Sequence, residues 1–208
     1  MEQLLKSNKV FFGFYTFLVV IALIFLALYG KEGTFLWVNQ HNKPLLDKLF
    51  FCLTYLGDGV SFVILILVFL FTNKQWFYTS LLSLAATTIV AQLIKLVVHE
   101  YRPYMHFHDK VHLHLLSWVN VHQSNSFPSG HTVTAFSMAL ILSCFVNNKR
   151  WSMLFVLLAA LAGYSRVYLS QHFLSDVSTG SFIGVTVTLM CVYAVKMYYG
   201  TSAIKSLQ

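Results

Sequence analysis

The chain has 208 residues, 57% of them hydrophobic and 10% charged, with a net charge of +7 and a mean hydropathy of +0.67. Soluble domains carry about a quarter charged residues, so this composition excludes disorder, a collagen-like chain and a small disulfide scaffold, and leaves little room for a soluble enzyme. What remains is a single integral-membrane domain over residues 1–208, because several spans leave no length for a second domain.

The first apolar run, 10–30, contains no charge and is longer than a signal-peptide core, so it reads as a retained span. The loop 30–58 carries Leu45, Leu46, Leu49, Phe50 and Leu53 at helical spacing beside Asp47 and Lys48. That spacing predicts a short amphipathic helix lying on the membrane or capping the bundle. A second run, 60–72, is short, so its helix should begin earlier, within 50–56 or at Asp58. Further spans are predicted over 76–98, 132–146, 151–165 (ending against Arg166) and 177–199, with a long histidine-rich loop at 100–127. Several of these are shorter than the roughly 20 residues a span needs, which requires their polar flanks to lie inside protein. The expected fold is therefore all-α: a polytopic membrane bundle of six transmembrane helices, with five the main competitor. Cys52, Cys144 and Cys191 form no CxxC pair and read as small buried hydrophobes. The basic residues are dispersed between apolar runs, so no nucleic acid partner is expected.

Orientation follows from cations near span ends. With both termini inside, seven Lys/Arg fall on each face. Setting aside Lys95, Arg102 and Arg166 as site residues leaves four outside, and the short inner loops 73–75 and 147–150 are basic without acids. Cytoplasmic termini in a cytoplasmic (inner) membrane are the expected arrangement.

Ionisable residues at span ends are costly and usually functional. Lys95 and Arg102 are seven apart, which would put them on one helical face, and Pro103 should end that helix. Snorkelling of both cations to the headgroups is the plainer alternative. Before the fourth span, Pro128-Ser129-Gly130-His131 offers an N-cap, a glycine that admits a ligand close to the backbone, and a helix start suited to an anion. At the end of the fifth come Ser165-Arg166 and then His172 and Asp176, spaced i, i+4. On a helix Asp176 could accept a hydrogen bond from one imidazole nitrogen of His172 and leave the other free as a nucleophile. Three cations, a helix start, two histidines and a carboxylate on one face suit a phosphate dianion.

The pattern Lys95-x6-Arg102-Pro103, Pro128-Ser129-Gly130-His131 and Ser165-Arg166-x5-His172-x3-Asp176 resembles the three signature motifs of the type 2 phosphatidic acid phosphatase superfamily, in order and at its spacing. Leu56-Gly57-Asp58-Gly59 resembles a further recurrent element of that family. The resemblance implies a membrane phosphatase acting on a lipid phosphate without metal or other cofactor. His172 would attack phosphorus and form a phosphohistidine, Asp176 would orient it, and His131 would protonate the leaving oxygen. Lys95, Arg102, Ser129, Gly130 and Arg166 would hold the phosphoryl oxygens.

Phosphatidate, phosphatidylglycerol phosphate, undecaprenyl diphosphate and lipid A phosphates all fit such a site, and a compact, bacterial-looking chain favours the last three. Two other classes share an anion site. Vanadium haloperoxidases are soluble and larger, and a non-catalytic transporter or lipid-binding scaffold would want polar residues at mid-membrane. The loop histidines His99, His106, His108, His112, His114 and His122 raise zinc or pH sensing as a further possibility. Gly180-x3-Gly184 fits either packing within the bundle or a dimer face. Oligomeric state is not legible.

Overall fold

The computed structural model describes residues 1–108 and 110–205. Among them there are helices and no strands: α1 (Glu2–Ser7), α2 (Lys9–Gln40), α3 (Pro44–Leu53) running into a 3₁₀ turn (Thr54–Gly57), α4 (Gly59–Thr72), α5 (Lys74–Val98), α6 (Pro103–His106), α7 (Gly130–Phe145), α8 (Trp151–Tyr168) and α9 (Leu174–Lys205). Four helices (α2, α5, α8 and α9) are long and apolar enough to cross a membrane, and the pair formed by α3 with its turn and α4, bent by 48°, makes a fifth candidate. Helix α7 is shorter.

Helix α7 lies at the centre. Nine of its sixteen residues are buried, among them Thr132, Ser137 and Ser143, and it packs against α4, α5, α8 and α9. A helix enclosed by others need not present an apolar surface to lipid, which is why small polar residues persist in it. The outer helices do the opposite. Phe17, Leu23, Ile24 and Leu28 on α2, Val60, Ile64 and Phe71 on α4, and Leu93, Leu96 and Val97 on α5 all stand exposed, as lipid-facing side chains must.

Close approach of α9 to α7 depends on two glycines. A Cβ on Gly180 would lie 2.7 Å from the Ser129 carbonyl oxygen, and one on Gly184 would lie 2.5 Å from that of Val133. Both glycines of the Gly180-x3-Gly184 pair therefore serve packing within the bundle.

Several local expectations are corrected. The first apolar run does not end its helix at Gly30. That residue has φ 67°, a conformation open to glycine, and α2 kinks there and continues to Gln40. Thr34 steadies the break by bonding the Gly30 carbonyl at 2.9 Å. Lys95 and Arg102 do not share a helix face, because α5 stops at Val98 and His99 turns left-handed at φ 42°. The helix in the first long loop exists as α3, but its faces are mixed: Phe50 and Asp47 are buried while Leu45 and Leu49 are exposed. Of the three cysteines only Cys191 is buried, and Cys52 is exposed on α3.

Candidate active site

Up-and-down connection brings the end of α5, the start of α7, the end of α8 and the start of α9 to one end of the bundle. Every sequence-predicted site residue lies there.

His172 is not on a helix. It sits in the turn between α8 and α9, shaped by Ser170 at φ 58° and by the His172 and Gln171 amides bonding back to the Arg166 carbonyl at 3.1 and 2.9 Å. Asp176 falls in the first turn of α9, where its Oδ2 accepts the Phe173 N–H at 3.0 Å, as an acid at that position commonly does. The pair is brought together by this helix start instead of by a shared helical face. His172 Nδ1 lies 3.5 Å from Asp176 Oδ2, and both residues are buried. Ser126 stands between them, donating to Asp176 Oδ2 at 2.5 Å with its hydroxyl 3.5 Å from His172 Nδ1. Burial pushes the His172 imidazole down to about 4. The hydrogen bond to Asp176 opposes that shift, while the charges of Arg102 and Arg166 reinforce it.

Ser129 is the residue before α7, as expected, but its hydroxyl caps no backbone amide. It accepts the Thr132 hydroxyl at 2.9 Å, and its N–H donates to the Asp176 carbonyl at 3.1 Å, tying α7 to α9. The space beside Gly130 is open, with no atom within 4 Å of where a Cβ would stand. His131 follows, with Nε2 3.8 Å from Asp58 Oδ2.

The cations are held by residues that the motifs do not include. Arg102 donates through Nε to the Ser124 carbonyl at 2.9 Å. Through Nη1 it reaches the Gln171 backbone and side-chain oxygens at 3.2 and 3.0 Å. Arg166 donates to Thr54 Oγ1 at 2.6 Å, while its Nε is buried without a partner. Lys95, on the last turn of α5, lines two adjoining cavities. One, of about 330 Å³, is shared with Arg102 and His122, and the other, of about 180 Å³, with Gly130 and His131. Burial holds His122 below its usual value, and Arg102, Arg166 and Lys95 add to that, so the three cations converge on one region. An oxyanion placed among them would meet positive charge from α5, from α8 and from the loop that follows α5.

Thr54, Ser126 and Gln171 escaped the sequence reading, and so did any role for Asp58. Thr54 and Arg166 are 112 positions apart, so no local pattern links them. Ser126 lies two residues before Pro128 and Gln171 immediately before His172, so proximity to a motif was the one available signal.

The loop histidines are dispersed. His106 pairs with Glu32 at 2.7 Å and His114 with Asp47 at 3.1 Å. Among the described residues no three His, Cys, Asp or Glu side chains are grouped to hold a metal ion.

The chain is similar to known proteins in sequence and in fold. The chain is 29% identical over 176 residues to the lipid A 4'-phosphatase of Porphyromonas gingivalis, covering 81% of this chain and 73% of that one. It is 26% identical over 159 residues to the undecaprenyl-diphosphatase BcrC of Bacillus subtilis, covering 74% and 73%. The crystal structure of Aquifex aeolicus LpxE superposes with a TM-score of 0.70 at 28% identity, over 78% of this chain and 94% of that one. Residues 76–199, which include all three motifs, match the PAP2 superfamily, and the chain belongs to that family.

Proposed function

We propose that the protein is a membrane-embedded lipid phosphate phosphatase working through a phosphohistidine. The observation that carries this reading is Arg166: a guanidinium 7% exposed, with Nε unpartnered, beside a helix start and a buried His–Asp pair. A buried donor without an acceptor is costly, and a phosphoryl oxygen would satisfy it. The similarity to named lipid phosphatases supports the same reading.

In the proposed mechanism Nδ1 of His172 faces Asp176, so Nε2 attacks phosphorus. The N–P bond forms as the P–O bond to the lipid breaks, and His131 gives its proton to the leaving oxygen. Asp176 steadies the imidazolium. A water, deprotonated by His131, then cleaves the N–P bond and releases inorganic phosphate. Lys95, Arg102, Arg166, Ser129 and the Gly130 N–H hold the equatorial oxygens. This scheme needs no metal.

The whole chain, 1–208, forms one such domain, with α2, α4, α5, α7, α8 and α9 as six spans. Helix α7 is only about 24 Å long at 1.5 Å per residue, yet its burial removes the need to match the bilayer. Both termini face the cytoplasm and the site faces the exterior or periplasm, with α3 at the outer surface. Candidate substrates are undecaprenyl diphosphate, lipid A phosphates, phosphatidylglycerol phosphate and phosphatidate. A transporter or binding scaffold would leave the Ser126–Asp176–His172 arrangement without a task. Purified protein should release phosphate from at least one of these lipids in detergent, and His172→Ala should not. Binding without release by the wild type would instead favour the scaffold.

A further inference from the structure

The loop 100–127 leaves the site end of the bundle and returns to it through a closed neck. There the Arg102 N–H donates to the Gln123 carbonyl at 3.0 Å, and the Ser126 N–H to the Glu100 carbonyl at 2.9 Å. The neck is braced from α2, because the Glu100 carboxylate pairs with Lys31, whose ammonium also lies 4.3 Å above the Phe173 ring. Ser126 is fixed in this way with no exposed surface, and its hydroxyl is turned toward the buried His172 and Asp176. None of the three motifs includes it.

What the hydroxyl does depends on where its proton goes. An ionised carboxylate only accepts, so at 2.5 Å the Ser126 hydroxyl donates to Asp176 Oδ2. Its proton is then committed, and its oxygen has only lone pairs to offer its other neighbour, His172 Nδ1, at 3.5 Å. Asp176 Oδ2, also 3.5 Å from Nδ1, is an acceptor as well. Facing two acceptors, the neutral ring carries its proton on Nδ1, which leaves the Nε2 lone pair free. Asp176 has other donors: the Phe173 N–H on Oδ2 at 3.0 Å and the Ser175 hydroxyl on Oδ1 at 3.0 Å. Both flank the start of α9, whereas Ser126 reaches the carboxylate from across the site.

We infer that Ser126 is a positioning residue for phosphoryl transfer: by donating to Asp176 it fixes the carboxylate and sets the His172 tautomer whose Nε2 attacks. The inference rests on the phosphatase reading above. Ser126 has no contact with substrate in this scheme. Its effect falls on the step that forms the N–P bond and develops imidazolium charge, and not on capture of the phosphate by Lys95, Arg102 and Arg166. A hydrogen bond to a charged group corresponds to about ten- to hundredfold in rate.

The test is phosphate release by the full chain in detergent, from whichever of lipid A, phosphatidylglycerol phosphate, undecaprenyl diphosphate and phosphatidate the wild type turns over fastest. Ser126→Ala should lower kcat about ten- to hundredfold and leave KM, and inhibition by inorganic phosphate, within about twofold. If Ser126 merely shaped the neck, Arg102 would shift with it, because its Nε and N–H rest on the Ser124 and Gln123 carbonyls. Both constants would then rise, and that result, or an unchanged kcat, would overturn the inference. Ser126→Cys keeps the shape but donates weakly, so its kcat should fall between the two, and full activity would again overturn the assignment. In an Asp176→Asn background the loss from Ser126→Ala should shrink to less than about threefold, whereas an equal loss in both backgrounds would show that Ser126 does not act through Asp176. Nitrogen NMR of histidine-labelled wild type at neutral pH should find the His172 proton on Nδ1, with the signal identified by its absence from His172→Ala. A proton on Nε2 would overturn the inference even if no Ser126 variant folds. Release from none of the four lipids by the wild type would instead sink the phosphatase reading itself.

Discussion

Arg102 and Gln171 are joined twice: one guanidinium nitrogen donates to both the backbone and the side-chain oxygen of the residue that immediately precedes His172. Gln171 is itself buried, and its amide nitrogen donates to the Asn120 carbonyl at 3.1 Å. The cation contributed by the loop after α5 is therefore registered against the turn that carries the proposed nucleophile, although 69 positions separate them.

Gln171→Leu removes one acceptor from a buried arginine while keeping the volume close. Losing such a partner costs about 1–3 kcal/mol, and part of that should appear as a misplaced guanidinium. Expected outcomes are a KM for lipid phosphate and an inhibition constant for vanadate that rise together, about tenfold, with a smaller change in kcat. A purely structural role would lower the yield of folded protein and leave both constants in the surviving fraction unchanged.

The buried His172 gives a pH prediction. In the proposed mechanism the neutral imidazole attacks, and burial holds its protonation below the ordinary value near 6.5, at about 4. Its reactive form therefore persists as pH falls, and the acid limb of kcat/KM should lie below pH 6.5. An acid limb at or above 6.5 would assign that limb to another group or remove His172 from the nucleophile role. Acid-quenched enzyme should carry acid-labile phosphate, which His172→Ala should lack.

How much of this was legible in the sequence depends on whether the cause was local. The three motifs and their common face could be read because span ends and their polar flanks are local features. The route to proximity was misread twice. Spacing predicts one helix face for Lys95 and Arg102 and another for His172 and Asp176, yet His99 turns left-handed after α5 and α9 begins only at Leu174. Spacing reports a shared face only while the helix continues, and neither cap was recognisable. Thr54 on Arg166 and Ser126 on Asp176 are tertiary contacts across 112 and 50 positions, and beyond the nearness of Ser126 to Pro128 one sequence holds no signal for them.

Packing of α9 on α7 makes a stability prediction. A side chain at Gly184 would meet the Val133 carbonyl at 2.5 Å, and backbone cannot swing aside as a flexible side chain does. Gly184→Val should destabilise the protein by about 1–3 kcal/mol, read as a lower thermal midpoint in detergent. Gly13, where a Cβ would meet nothing within 4 Å, is the matched control, and Gly13→Ala should leave the midpoint nearly unchanged.

Sidedness follows from placing Lys95, Ser129, Arg166 and His172 at one end of the bundle, opposite the basic turns 73–75 and 147–150. Positive loops stay in the cytoplasm, so the site should act on the outer leaflet of the cytoplasmic membrane. Cysteine labelling can test this, provided the exposed native thiol at Cys52 is first removed, because α3 lies on the same side as the site. In a Cys52→Ser, Cys144→Ala, Cys191→Ala background, a cysteine at exposed Ser117 should react with a membrane-impermeant maleimide in intact cells, with any outer membrane made permeable beforehand. One at exposed Asn147 should react only after lysis. The reverse pattern would turn the site toward the cytoplasm. The chemistry of His172 would be untouched, but the lipids within reach would be those of the inner leaflet.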